Sequence, residues 1–423
     1  MPLETGVARG SGGPGSAALS DYTRRFLLSA ASLIFILLLL EFLALIRVVD
    51  YRRVVGPGPA DSFAATNIND PELLHLHPPH SHFSGAARGG NFAANFRIPS
   101  SDMTAYRWDV NYDHNGFRND LDLKNADIIL IGDSFVESIT TPTAQLTTSL
   151  LANLQGKVVA NLGQYGYGPL EEVAALRRYG LPLHPHTVVW MFFEGNDLLD
   201  VIHYRKVTAA PPKPPRSGSS FGDRSFMMNA LLQLRLQFRR AFKPSGFLDR
   251  SFTVNALLQL RLQFRRAFKP SGVKRSGVIR TSNGKELTIY FLYSSPLLTK
   301  ENLSALDQTT ATLAAAHDLC AAQGARLILV FIPTKFRLFH SLCQFPHESE
   351  CRNWALNDLP ERLQRATRSI SSDIGYLDLT PDLVNAVKAG VLPYYVDDDH
   401  WSPEGHQIAA EAINHYLSGS VHK

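Results

Sequence analysis

Four short stretches of this chain carry residue types that could perform acyl chemistry together. In chain order they are Ile131-Gly132-Asp133-Ser134, Asn161-Leu162-Gly163-Gln164-Tyr165-Gly166, Gly195-Asn196-Asp197 and Asp397-Asp398-Asp399-His400-Trp401. A serine alcohol is a poor nucleophile at neutral pH and needs an adjacent base. Histidine suits that role, and a carboxylate on its far ring nitrogen would fix the tautomer and stabilise the imidazolium. Asp397, three residues before His400, could turn back to do so. Asp398 and Asp399 compete for the same role, and local sequence leaves the choice open. A developing oxyanion needs N–H donors. Ser134 N–H at a helix start, Gly166 N–H after a strand and the Asn196 carboxamide supply three. Each stretch alone has a plainer explanation: Gly-Asp-Ser as a helix cap, and the acidic run as a turn before the last helix.

The elements around these stretches must bring them together. Asp127–Ile131, Lys157–Leu162, Thr187–Phe193, Arg326–Ile332 and Gly375–Leu379 are short apolar runs of the kind that form buried strands. Thr143–Leu154, Leu170–Tyr179, Leu303–Ala322, Trp354–Ser369 and Pro403–Leu417 have helical spacing. Alternation of strand and helix predicts a parallel sheet covered on both faces. The first three motifs would then sit at carboxyl ends of strands, where open α/β sheets place their sites.

With 423 residues, 45 % of them hydrophobic and 19 % charged, the chain can bury a sizeable core. Residues 1–25 read as a disordered tail rich in Gly, Ser and Ala. Residues 26–46 form an apolar run with one charge, Glu41, and predict a transmembrane helix. Arginines flank both ends, so orientation is only weakly specified. Cys343 and Cys351, eight apart, could form a local disulfide suited to an oxidising compartment. The expected location is the inner membrane, with a cytoplasmic N-terminus and the catalytic domain outside. Residues 47–125 read as a juxtamembrane region; its histidines at 75, 77, 80 and 82 lack metal-ligand spacing, and no metal is expected.

The net charge of +4 conceals a split: residues 201–280 hold 17 Lys and Arg against 2 Asp and Glu. This basic block carries a tandem repeat, 221–246 and 247–272, whose copies differ only at their second, seventh and eighth positions. It reads as a basic helical insertion over 201–300, able to meet an anionic surface or glycan. Nucleic acid is not an expected partner. The insertion divides the main domain into 126–200 and 301–420.

Taken in order, the four stretches resemble the blocks of the SGNH, or GDSL-like, hydrolases. The resemblance covers about residues 105–200 and 300–420 and rests on Gly132-Asp133-Ser134, Asn161…Gly166, Gly195-Asn196-Asp197 and Asp397…His400. It implies a flavodoxin-like three-layer α/β/α sandwich with a parallel sheet and a Ser-His-Asp mechanism. Ser134 and His400 would be catalytic, and Ser134, Gly166 and Asn196 would form the oxyanion hole. Gly166 is carried over because the family's glycine follows the block's Asn by five; Gly163 is the alternative. The family's Asp usually precedes His by three, which favours Asp397. Members with His-Trp often have it two before, which keeps Asp398. No cofactor is implied. Membrane-tethered members with this ending include enzymes that add or remove acetyl groups on exported polysaccharides. The expected function is therefore a membrane-anchored serine esterase or O-acyltransferase acting on acyl esters of a glycan. The alternative is a catalytically inactive scaffold or glycan-binding protein on the same fold.

Overall fold

The computed structural model describes residues 28–29, 31–43, 67–209, 271–280 and 284–419. The chain divides into two compact units, residues 1–56 with 212–264, and residues 57–211 with 265–423. In the first, residues 28–29 and 31–43 are helical and display large apolar side chains such as Leu33, Phe35 and Phe42 to solvent. Among the described residues no helix is long and apolar enough to cross a membrane. The ends of the 26–46 run and residues 221–270 of the tandem repeat lie outside the described residues.

The second unit opens with a hairpin of β1 (Ile68–Asp70) and β2 (Leu74–Leu76). A second hairpin pairs β3 (His82–Arg88) with β4 (Ala105–Asn111), and the short helix α1 (Asn91–Asn95) lies between its strands. Alternation then begins: β5 (Ile128–Gly132), α2 (Ser134–Glu137), α3 (Thr147–Gln155), β6 (Val159–Gly163), α4 (Pro169–Ala175), β7 (Thr187–Phe193) and α5 (Asp197–Thr208). A third hairpin, β8 (Ser276–Arg280) with β9 (Glu286–Tyr290), precedes α6 (Lys300–Ala321), β10 (Arg326–Ile332), α7 (Lys335–Phe339), α8 (Leu359–Ile370), β11 (Gly375–Asp378), α9 (Thr380–Lys388) and α10 (Pro403–Gly419).

The central sheet has the order β11-β10-β7-β5-β6, and every pair is parallel. This is the flavodoxin-like order, in which the chain leaves the first strand in one direction and returns to build in the other. Its strands are near-continuous apolar runs because both faces are covered. Period-two alternation splits them between two cores. Ile129, Ile131, Val188, Trp190, Leu327 and Leu329 face one core with Val201, Leu313 and Leu363 from helices. Ile128, Leu130, Val189, Met191, Ile328 and Val330 face the other with Leu151, Phe336, Leu383 and Ile413. Each such side chain, fully buried, contributes about 1.5–3 kcal/mol.

Local signals explain most element boundaries. Pro169 opens α4 with Glu171 and Glu172 in its first turn, and Gly156 ends α3 at φ +63°. Thr299 caps α6 by accepting from Asn302 N–H. The helix expected from Trp354 instead begins at Leu359, with Pro360 in its first turn, where a missing N–H costs nothing. Trp354 packs on Phe336, ring centroids 5.2 Å apart. Two of the segments delimited from sequence carry described structure. The 47–125 region, from residue 67 on, is folded into hairpins that pack on the sheet domain. The 201–300 segment is not wholly an insertion: α5 runs to Thr208, and the β8–β9 hairpin carries the buried Ile279 and Ile289 of the second core.

Candidate active site

Ser134 begins α2 directly after β5, so its hydroxyl stands at the carboxyl end of the strand where the sheet order reverses. Asp133 caps this helix by accepting Phe135 N–H at 2.9 Å. Helix α2 lies unusually close to the sheet. A Cβ on Gly163 would come within 2.4 Å of Glu137 N, and one on Gly132 within 2.6 Å of Val136. Gly163 is therefore a packing glycine. Its own N–H donates to Asn161 Oδ1, so the alternative of Gly163 as an oxyanion donor does not hold.

His400 lies in the loop before α10, with a quarter of its side-chain surface exposed. Its Nε2 is 2.8 Å from Ser134 Oγ and its Nδ1 is 2.6 Å from Asp398 Oδ1. Asp398, not Asp397, thus meets the histidine, which corrects the preference drawn from the three-residue spacing. Asp397 is turned away: Oδ2 accepts Gly90 N–H and Thr104 N–H, and Oδ1 accepts the Tyr106 hydroxyl. Asp399 is turned away too, accepting Leu292 N–H.

Burial alone would lower the His400 pKa, but the charge and hydrogen bond of Asp398, with Asp133 and Asp399 nearby, raise it to about 8. Burial likewise works to raise Asp398, yet His400 and the N–H donors of Asn91 and His400 hold it below the usual carboxylate range. A paired imidazolium and carboxylate stabilise each other.

Gly166 has φ +76°, a left-handed conformation that a side chain would strain. Among the described residues, neither its N–H nor that of Ser134 is taken by a hydrogen bond. Its loop is held on both sides: Tyr165 N–H donates to Glu137 Oε2, and Tyr165 O meets His75 Nε2 at 2.8 Å. Asn196 precedes α5 at the end of β7, its side chain beside the Asp133 carboxylate. The structure thus gathers Ser134, His400 and Asp398 in a hydrogen-bonded line, with Asn196 three residues past the end of the neighbouring strand β7.

Behind the strand ends lies a group of buried acids. Burial raises Asp133 to about 6, Glu171 to about 8 and Asp200 to about 8, and lifts Glu172 and Asp197 well above the usual range. Like charges this close cannot all ionise. Glu172 accepts from Trp190 Nε1 and Asp197 from Phe193 N–H. Among the described residues no group of His, Cys, Asp or Glu could hold a metal ion. The histidines of the N-terminal region go to separate partners, His77 to Glu137 and His82 to Asp109. Cys320, Cys343 and Cys351 are free thiols, so the local disulfide considered from spacing is not formed.

Residues 290–422 match the model of the SGNH hydrolase-like domain of the acetyltransferase AlgX. That segment carries the acid and the base, and the Gly-Asp-Ser, Asn…Gly and Gly-Asn-Asp stretches that complete the pattern stand at the ends of β5, β6 and β7. Residues 290–422 are thus an SGNH hydrolase-like domain. The family acts on acyl esters, as hydrolase or acyltransferase. No curated protein matches the chain. Among solved structures it is similar to a protein described as lipolytic, of the G-D-S-L family, from Desulfitobacterium hafniense DCB-2 (11 % identity, 68 % of this chain and 97 % of that one, TM-score 0.33). It is also similar to a GDSL-like lipase from Bacteroides thetaiotaomicron (12 %, 69 % and 88 %, TM-score 0.31). A third is a carbohydrate esterase family 2 enzyme from Corynascus thermopiles (10 %, 77 % and 75 %, TM-score 0.33). Likeness at this level adds nothing to the assignment.

Sequence reasoning missed the residues that hold the SGNH site together. Gly90, Asn91, Thr104 and Tyr106 support the acid loop from the N-terminal region. Lys335, fully buried, donates to the carbonyls of Tyr395, Val396 and Asp398. A Gly89-Gly90 pair was the only local signal, and nothing in the sequence around Lys335 sets it apart.

Proposed function

We propose that the protein is a membrane-anchored serine O-acyltransferase or esterase that works through an acyl-Ser134 intermediate on acetyl or other acyl esters of a glycan. The observation that carries this reading is the continuous line Ser134 Oγ–His400 Nε2 (2.8 Å) and His400 Nδ1–Asp398 Oδ1 (2.6 Å). His400 takes the proton from Ser134 Oγ as the oxygen attacks the ester carbonyl carbon. The carbonyl oxygen becomes an oxyanion, met by Ser134 N–H, Gly166 N–H and the Asn196 carboxamide. On collapse the alkoxide leaves with the proton from His400, and the acyl group stays on Ser134. A water or a sugar hydroxyl, deprotonated by His400, then attacks the acyl-serine and restores the enzyme.

The acetyl group is favoured by the match to the domain of an acetyltransferase. The glycan acceptor follows from the resemblance to membrane-tethered members that acetylate or deacetylate polysaccharides. The apolar run 26–46 supports an anchor, and the basic 221–272 repeat supports contact with an anionic surface or glycan. The test is intact-mass analysis of the full chain after incubation with acetylated donors. An adduct of one acetyl group, absent from Ser134→Ala, is expected. An adduct that persists in Ser134→Ala, or labelling of that variant by a serine-directed phosphonate, refutes the assignment.

A further inference from the structure

The run Asp397-Asp398-Asp399 is buried throughout, yet only its middle member touches His400. Its neighbours are anchored elsewhere: the Asp399 carboxylate accepts Leu292 N–H, and the other anchors come from one distant stretch. Asp397 receives Gly90 N–H at 2.9 Å, Thr104 N–H at 3.0 Å and the Tyr106 hydroxyl at 2.8 Å. Asn91 grips the run twice more: its N–H donates to Asp398 Oδ2 at 2.7 Å, and its Oδ1 accepts Asp399 N–H at 3.0 Å. Phe92 N–H donates to Asp397 O at 3.2 Å.

These bonds settle how the Asp398 carboxylate points. With Oδ2 occupied by Asn91 N–H, Oδ1 is left for His400 Nδ1 and for His400 N–H at 3.0 Å. Space is as constrained as bonding. A Cβ on Gly90 would lie 2.4 Å from Asp398 Oδ2 and 2.7 Å from Asp397 O. Gly90 has φ −81°, open to any residue, so the glycine is there for room and not for backbone freedom. Lys335 Nζ also holds the loop, by three carbonyls.

We propose that residues 90–106 form a positioning element of the active site, with Gly90 and Tyr106 setting the orientation of Asp398 toward His400. This rests on the acyl-transfer reading above. The groups that face His400 are Asp398 and Asp399 on its own loop, Asp133 and Ser134 at the end of β5, and the Phe135 ring at 5.3 Å. Lys335 Nζ bonds the backbone carbonyl of Asp398. None of these is altered by substitution at Gly90 or Tyr106, so a change in His400 would report orientation alone.

Gly90→Ala and Tyr106→Phe are compared with wild type in the full chain by two measurements. One is turnover of a small acetyl ester against pH; the other is NMR titration of 13C-labelled histidine, with His400 assigned from His400→Gln. The expected result is a drop in kcat of about 10- to 100-fold for Gly90→Ala with KM little changed, a smaller drop for Tyr106→Phe, and a lower His400 pKa in both. Unchanged kcat and unchanged titration overturn the proposal. So does a fall in kcat with an unmoved His400 pKa, since that describes a structural role only. If Gly90→Ala does not fold, Tyr106→Phe decides alone. A lowered His400 pKa in the variants of a chain that turns over no ester would uphold the positioning and refute the acyl-transfer reading.

Discussion

Asp398→Asn should cripple the enzyme while leaving its fold intact, and the size of the loss can be worked from the site. Asp398 is the main group lifting His400 from its ordinary 6.5 to about 8, which corresponds to about 2 kcal/mol of support for the imidazolium. Losing that support alone slows the step by about 30-fold. An asparagine can also present its N–H2 group to Nδ1 and favour the wrong tautomer, a defect that costs about 10⁴ in kcat in well-studied serine triads. The expected loss therefore lies between these figures. The pH profile carries a second signature. His400 must be neutral to accept the Ser134 proton, so activity rises with pH through its pKa. In wild type that limb should centre near 8. In Asp398→Asn it should move to lower pH, because the largest group opposing the effect of burial on the charged ring is gone. The assay is kcat/KM for a chromogenic acetyl ester from pH 5 to 10. A loss under about tenfold, or a limb that stays near 8, refutes the role of Asp398. Silence in Asp398→Asn together with collapse in Asp397→Asn would return the role to Asp397.

Two further outcomes are expected. Asn196→Ala should lower kcat by about 10²–10³, or about 2.7–4 kcal/mol, if its carboxamide stabilises the oxyanion, and steady-state kinetics on the same ester would show it as a kcat effect with KM nearly constant. Asp200→Asn and Glu171→Gln should flatten the pH dependence of stability. Both carboxyls are raised to about 8 in the folded chain, so between pH 4 and pH 8 the native state holds protons that the unfolded chain has released, and stability falls as pH rises across that window. Thermal unfolding at pH 5, 6.5 and 8 checks this; variants whose midpoints fall with pH as steeply as wild type would show these groups to be ionised in the native state.

Much of the fold was legible because its strands are buried on both faces. Thr187–Phe193 and Arg326–Ile332 occur at the bounds expected from their apolar runs, since few other structures bury six consecutive apolar residues. The N-terminal hairpins were not legible. The exposure pattern of β3 is mixed, and His82–Arg88 includes Gly85 and two alanines that carry little strand preference. That strand exists because β4 pairs with it through Trp108, Tyr106 and Val110, and pairing is a tertiary fact. The choice of acid was likewise hidden. Asp397, Asp398 and Asp399 are consecutive, equally buried and chemically identical, so spacing to His400 could only rank them.

By itself the sequence determined which residues reach the carboxyl ends of β5, β6 and β7, because a serine, a glycine and an asparagine follow short apolar runs that alternate with helical spacing, the pattern of a buried parallel sheet. It also determined that a histidine with acidic neighbours closes the last loop. Only the tertiary structure decided which aspartate serves that histidine. Gly90, Asn91, Thr104 and Tyr106 supply the donors that turn Asp397 away and leave one oxygen of Asp398 free. A carboxylate's direction is set by whichever N–H and O–H groups surround it, and here those groups come from residues about 300 positions earlier in the chain.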